Sequence, residues 1–97
     1  MYIYNITFVV HQNFAEHFES WLKNKEIFFE RQSISVQPLR IHTRVEEGHL
    51  NYSLQINLDT IEKLEHFQSS EFSKLIKEKS RLFGENVLNF ETILERF

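Results

Sequence analysis

The sequence predicts an α+β domain in the order β-α-β-β-α-β. Three observations carry this expectation. Residues 50 to 58, Leu-Asn-Tyr-Ser-Leu-Gln-Ile-Asn-Leu, alternate apolar and uncharged polar side chains without a break, the two-residue period of a half-buried strand. Residues 2 to 10 alternate in the same way. Two further segments repeat Phe, Leu and Ile at helical spacing.

The elements follow in order. Residues 2 to 10 form the first strand, with Tyr2, Tyr4, Ile6, Phe8 and Val10 on one face and Ile3, Asn5, Thr7 and Val9 on the other. Asn13 followed by Glu16 is a capping box that starts a helix. Phe14, Phe18, Trp21, Leu22, Phe28 and Phe29 give that helix an aromatic stripe wide enough to require a sheet beneath it. Residues 34 to 45 form the second strand, weakened at Pro38, which cannot donate to a ladder and so marks an edge strand or a bulge. Glu46-Glu47-Gly48 is the turn, Gly48 supplying the positive φ of a tight hairpin, and residues 49 to 58 form the third strand. Pairing Arg44 with either Asn51 or His49 puts Arg40, His42 and Arg44 on the face of Asn51, Ser53 and Gln55. Asp59 and Glu62 start the second helix, which Gln68-Ser69-Ser70 interrupts; Ser70 caps a longer piece ending near Gly84. Residues 86 to 95 close the chain as a strand, with Leu88, Phe90, Thr92 and Leu94 opposed to Val87, Asn89, Glu91 and Ile93.

This is the ferredoxin-like split βαβ plan, a single domain over residues 1–97. Its strands lie in the order four, one, three, two in one antiparallel sheet, with both helices on one face. The apolar parities, Leu54 and Phe90 among them, are expected beneath the helices. The opposite face then collects Asn5, Thr7, Arg40, His42, Arg44, Asn51, Ser53, Gln55, Asn57, Asn89 and Glu91, with Ile3, Val9, Ile34, Val36, Val87 and Ile93 as apolar patches.

Composition narrows the function classes. Ten Phe in 97 residues supply a substantial core, and only two Gly and one Pro argue for an ordered chain. The lack of Cys excludes disulfides, thiolate metal sites and a cysteine nucleophile. No apolar run is long enough to span a bilayer and no secretory signal pattern opens the chain, so a cytoplasmic protein is expected. A net charge of −3 with dispersed Lys and Arg makes no footprint for nucleic acid or an anionic membrane. With Tyr2, Tyr4, Phe8, Tyr52 and Phe90 all in the core parity, the open face also lacks rings to stack RNA bases. His11, His17, His42, His49 and His66 include no i,i+4 pair, so no metal or cofactor is expected.

The polar face admits three uses: simple hydration, self-association, or binding of a small polar or anionic ligand by Asn5, Arg40, His42, Arg44 and Gln55. Three strand spacings put Glu91 roughly 14 Å from Arg40 or Arg44 within one chain. Stacked sheets in a two-fold dimer would instead pair Glu91 with Arg40 or Arg44 across the interface.

Met1-Tyr2-Ile3-Tyr4-Asn5-Ile6-Thr7, Trp21-Leu22-Lys23, Asn51-Tyr52-Ser53-Leu54-Gln55, Phe83-Gly84-Glu85 and Phe90-Glu91-Thr92-Ile93-Leu94, in this order, resemble the bacterial family called domain of unknown function 4286. The resemblance covers essentially the whole chain. It implies a ferredoxin-like fold related to the dimeric α+β barrels, hence a homodimer, and it carries no established activity or catalytic residue. Where relatives often continue the first helix with His-Ile-Pro, this chain reads Glu26-Ile27-Phe28, so the helix is expected to run on to Phe29 or Glu30. The wider barrel group includes cofactor-independent oxygenases and heme-degrading enzymes. That alternative would place Asn5, His66 and Trp21 in one site. The expectation taken forward is a cytoplasmic homodimer serving as a ligand-binding or interaction module, with a monooxygenase-like enzyme as the alternative.

Overall fold

The alternation of the N-terminal residues becomes β1 (Tyr2–His11), and the aromatic stripe after it becomes α1 (Ala15–Glu30). β2 (Ser35–Ile41), β3 (His49–Leu58), α2 (Ile61–His66), α3 (Phe72–Phe83) and β4 (Val87–Glu95) complete a computed structural model that describes residues 1–97. The strands form one antiparallel sheet in the order β2-β3-β1-β4, which is the expected order read from the other edge. No helix is long and apolar enough to cross a membrane.

The core sits between this sheet and the helices. Ile6, Phe8 and Val10 of β1 and Leu54 and Ile56 of β3 are completely buried there. The Phe18 ring is the hub of the packing: Phe8, Tyr52, Trp21 and Phe83 surround it at centroid distances of 5.0, 5.1, 5.6 and 5.7 Å. All four are tilted or edge-on, the arrangements that the ring quadrupole favours.

Local chemistry sets the helix ends. Asn13 does not cap α1; its N–H instead donates to Nδ1 of His11 at 3.2 Å, and a 3₁₀ turn over Gln12–Phe14 leads into the helix. α1 runs to Glu30, as expected for a segment with no proline. It stops where Ser33 enters the left-handed region at φ 61° and Ile34 N–H closes onto the Phe29 carbonyl. Thr60, rather than Asp59, caps α2 by accepting from Lys63 N–H.

The interruption expected at Gln68-Ser69-Ser70 is present, but not as a restart capped by Ser70: α2 ends at His66 and α3 begins at Phe72 with no side-chain cap. Phe67–Glu71 form a π turn that joins α2 to α3. Its cause is visible in the core, where Phe67 and Phe72 both pack on Tyr4, at 5.3 and 5.2 Å. Residues five apart on an α-helix point roughly 140° away from each other. The wider i→i+5 turn brings both rings onto one tyrosine.

The two central strands have the expected parity, and both edge strands are reversed. β2 ends at Ile41 and pairs Arg40 with Tyr52 and Leu39 with Ser53. The hairpin connection therefore spans residues 42–48, with Arg44 at φ 55° and Gly48 at φ 81°. The register differs from the expected ones by an odd number of residues, which turns every side chain over. Val36 enters the core and Arg40 points toward the helices. In β4, Val87 is fully buried while Phe90 is 57 % exposed on the far side, opposite Thr7. Asn89 and Glu91 are paired with Phe8 and Ile6, on the helix side. Lys79 of α3 supplies the reason: its buried ammonium donates to Val87 O at 2.9 Å and to Asn89 Oδ1 at 2.8 Å. A buried charge without acceptors costs several kcal/mol, so the polar parity of β4 turns toward it.

The packing predicts that Phe8→Ala, which empties the space beside Phe18 and Trp21, costs about 3–5 kcal/mol in urea denaturation. Phe90→Ala, on the far side of the sheet, leaves the unfolding free energy of the single chain within about 1 kcal/mol.

Candidate functional site

The face of the sheet away from the helices is the candidate site. The registers assign to it Ile3, Asn5, Thr7 and Val9 from β1 and Asn51, Ser53, Gln55 and Asn57 from β3. β2 adds Ser35, Gln37, Leu39 and Ile41, and β4 adds Leu88, Phe90, Thr92 and Leu94. Within the strands only His11 and His49, at one end, are ionisable side chains; past the strand ends, Arg96 borders the face beside Ile3 and Leu94 at the other. In a chain with 26 % charged residues, four strands whose outward parities are all free of Asp, Glu, Lys and Arg are a specific feature.

The centre of this face is polar and internally bonded. Ser53 Oγ donates to Asn5 Oδ1 at 2.5 Å, and Asn5 Nδ2 donates to Thr7 Oγ1 at 3.3 Å. Ser53 is only 5 % exposed although it faces away from the core. Asn51 Oδ1 is out of water and has no hydrogen-bond donor. Apolar side chains flank this strip: Leu88 (51 % exposed), Phe90 and Leu94 on one side and Leu39 on the other. His11 and His49 pack edge to face at 5.8 Å at the end of the strands.

The residues expected to bind a ligand are thus divided. Asn5 and Gln55 face each other in the β1–β3 pair on the open face. Arg40 lies on the other side, where its Nη2 donates to Glu19 Oε1 at 2.7 Å. His42 and Arg44 belong to the hairpin connection, outside the sheet. Glu91 is also on the helix side, so stacking open faces does not pair it with Arg40 or Arg44. The exposed Phe90 removes the earlier argument that the open face lacks aromatics. Its four strands still carry no Lys or Arg with which to hold a phosphate backbone.

Asn5, His66 and Trp21 do not converge. Asn5 is on the open face, whereas Trp21 is buried among Phe8, Phe18 and Phe83 and donates from Nε1 to Glu78 Oε1 at 2.6 Å. His66 closes α2, on the same side as Trp21. These residues do not fit a heme site.

The charges absent from the open face are used among the helices. Glu19 accepts from Arg40 and from Tyr52 OH, at 2.5 Å for the latter, and these bonds, with that of Arg40 the stronger, hold its carboxyl below the usual range. Burial, then the Glu19 carboxylate, pushes the Tyr52 phenol up to about 12. Lys25 Nζ lies 2.7 Å from Glu78 Oε1, and with the Trp21 bond it lowers the Glu78 carboxyl. Desolvation lowers the Lys79 ammonium, partly offset by Glu91. A cleft of about 530 Å³ lies between the α1–β2 connection and α2, with Ile34, Leu58 and Phe67 among its walls. Its rim mixes signs, Lys63 holding Asp59 at 3.3 Å, and no three His, Asp or Glu are grouped to bind a metal.

A sequence signal for the open face existed. In each edge strand only one parity is uncharged: Ser35, Gln37, Leu39 and Ile41 in β2, and Leu88, Phe90, Thr92 and Leu94 in β4. Aligning those uncharged parities with the polar parities of β1 and β3 assembles the observed face.

The ion pairs predict a stability profile with two falling limbs. Glu19 and Glu78 contribute fully above the ordinary carboxyl value of 4.5, and that contribution is lost as pH falls through their lowered folded values. Tyr52 acts at the other end: the folded chain keeps a proton that the unfolded chain releases near 10.0, so stability is lost from there up to about 12. Urea midpoints against pH for Tyr52→Phe should fall less steeply than wild type over that alkaline range. Those for Glu19→Gln should fall less steeply below 4.5.

No curated protein and no solved structure matches the chain. A family model described as "Domain of unknown function (DUF4286)" matches residues 1–97. That match spans every strand of the uncharged face and every helix behind it, and the chain belongs to this family of unknown function.

Proposed function

We propose that the chain is a homodimerising interaction module of ferredoxin-like plan, which stacks its open sheet face on the same face of a second copy as in the dimeric α+β barrels it resembles. The observation that carries this reading is the absence of Asp, Glu, Lys and Arg from all four strands on that face. Interface cores are depleted in charge and enriched in exactly such apolar and aromatic side chains as Leu39, Leu88, Phe90 and Leu94. A surface of isolated monomer has no comparable reason to exclude charge while exposing them.

Size supports the same reading. Four strands about 4.8 Å apart and nine residues long at about 3.3 Å each span roughly 500–600 Å² in plan. With side-chain relief this approaches the roughly 800 Å² per partner of a standard interface. In a two-fold stack the facing copy also offers a donor to Asn51 Oδ1. A small molecule enclosed between the sheets would meet amides and hydroxyls, not guanidiniums. The ligand suited to Asn5 and Gln55 is therefore neutral and polar rather than anionic.

Sedimentation equilibrium tests the reading. The wild-type chain should run well above 11.8 kDa, and Leu39→Glu should halve that mass without changing the far-UV spectrum. High salt should leave the assembly intact, because no ion pair holds the face contact. A wild-type chain sedimenting at 11.8 kDa at micromolar concentrations would refute the proposal.

A further inference from the structure

The outer edge of β4 has a hydrogen-bonding pattern of its own. Arg96 N–H donates to Met1 O at 3.1 Å, which extends the β1–β4 ladder one pair beyond Tyr2↔Glu95. Antiparallel ladders alternate bonded and non-bonded pairs. Leu88, Phe90, Thr92 and Leu94 therefore bond β1, and Val87, Asn89, Glu91, Ile93 and Glu95 turn their N–H and C=O groups outward. Only the first outward carbonyl, that of Val87, has a partner, Lys79 Nζ. No Pro or Lys interrupts β4 to blunt it, whereas the opposite edge, β2, carries Pro38. The exposed edge carries Phe90 and Leu94 on the open side, and on the helix side the exposed Ile93 stands between Glu91 and Glu95.

Lys79 is the second observation. An ammonium has three protons. Two are placed on neutral oxygens, Val87 O and Asn89 Oδ1. Lys79 is 5 % exposed and enters none of the chain's ion pairs, Lys25–Glu78, Arg40–Glu19, Lys63–Asp59 and Lys74–Glu71, while Glu91 of the same chain accepts from the other side of the Asn89 amide, from Nδ2 at 3.2 Å.

We propose that the free edge of β4 pairs antiparallel with β4 of a second copy, in a register centred on Phe90, and so continues the sheet to eight strands. The side chains select the register. Centring on Glu91 sets the two Glu91 carboxylates against each other, which is destabilising. Centring on Thr92 places Glu91 against Ile93. Centring on Phe90 sets Asn89 opposite Glu91 twice, Val87 opposite Ile93 twice, and Phe90 against Phe90. The partner's Glu91 then lies beside the Asn89 amide that holds Lys79, and adds a second carboxylate to the chain's own Glu91 near that ammonium. This contact is distinct from the face contact and does not rest on it. Two isologous contacts of different kind build a tetramer, with one edge pair and one face pair per chain.

Amide hydrogen exchange reads the pairing directly. At high concentration the Glu91 and Ile93 amides should exchange slowly, on the order of tenfold or more slower than after dilution. The Phe90 and Thr92 amides, bonded to β1, should not respond to dilution. Rapid, concentration-independent exchange at Glu91 and Ile93 would overturn the proposal. The register is read by disulfide trapping, since the chain has no other cysteine. A non-bonded pair has Cα atoms about 4.5 Å apart, within disulfide range. In the Leu39→Glu background, which removes the face contact, Phe90→Cys should oxidise to a covalent dimer and Thr92→Cys should not. The reverse result would refute the register. Retention of slow Glu91 and Ile93 exchange in Leu39→Glu separates the edge contact from the face contact; loss of it there would sink the edge pairing as an independent interface.

Discussion

An ammonium on α3 and a carboxylate on α1 decide what the far side of the sheet looks like. Lys79 is out of water and holds Val87 O and Asn89 Oδ1, so the polar parity of β4 faces the helices and its apolar parity faces outward. Glu19 does the same for β2 by engaging Arg40 beside Tyr52. Together these two contacts draw Arg40, Asn89 and Glu91 to the helix side. The outward parities of the four strands are left without Asp, Glu, Lys or Arg. The apolar character of the open face follows from where the polar groups find partners, more than from any attraction of its own.

The same contacts explain which parts of the fold were legible in the residues. β1 and β3 read correctly because each has one parity of large apolar side chains that only the core can take, Ile6 and Phe8 in one and Leu54 and Ile56 in the other. Leu54 accordingly lies beneath the helices. Phe90 does not. β4 offers Val87 and Ile93 on one parity and Leu88, Phe90 and Leu94 on the other, so hydrophobicity alone favours the wrong side. The deciding partner, Lys79, lies on a different element and is itself unusual, since buried lysines are rare. β2 failed through its connection: a tight turn at Glu46-Glu47-Gly48 leaves two registers of the same parity, and the longer segment 42–48 reverses that parity. Gln68-Ser69-Ser70 marked where the second helix is interrupted, but not that the interruption is a π turn, because that form depends on Phe67 and Phe72 both packing on Tyr4.

These reversals change the chemistry open to the site. An anionic ligand needs the guanidiniums that sequence periodicity had placed beside Asn5 and Gln55. Arg40 is instead committed to Glu19, and Arg44 sits in the hairpin connection. The amides and hydroxyls that remain are largely occupied with each other, Ser53 with Asn5 and Asn5 with Thr7. Glu19, Tyr52, Glu78 and Lys79, whose proton affinities burial and partners shift, all lie among the helices. Proton-transfer catalysis draws on perturbed groups gathered in one cleft. Here such groups tie the helices to one another and to the sheet, Glu78 with Lys25 and Trp21, and Glu19 with Arg40 and Tyr52.

A purely apolar sheet face would be a poor recognition surface, because it could slide against another with little change in energy. The strip of Asn5, Thr7, Ser53 and Asn51 alters that. A buried polar group left without a partner costs about 1–3 kcal/mol, so a displaced stack that covers this strip with Leu88 or Leu39 is penalised at each unsatisfied atom. Asn51 Oδ1, already dry and without a donor, carries part of that penalty in the single chain and loses it only where a facing group donates to it. The apolar flanks would supply the affinity of the proposed stack, and the polar centre would set its register, much as a lone polar residue fixes the alignment of a coiled coil.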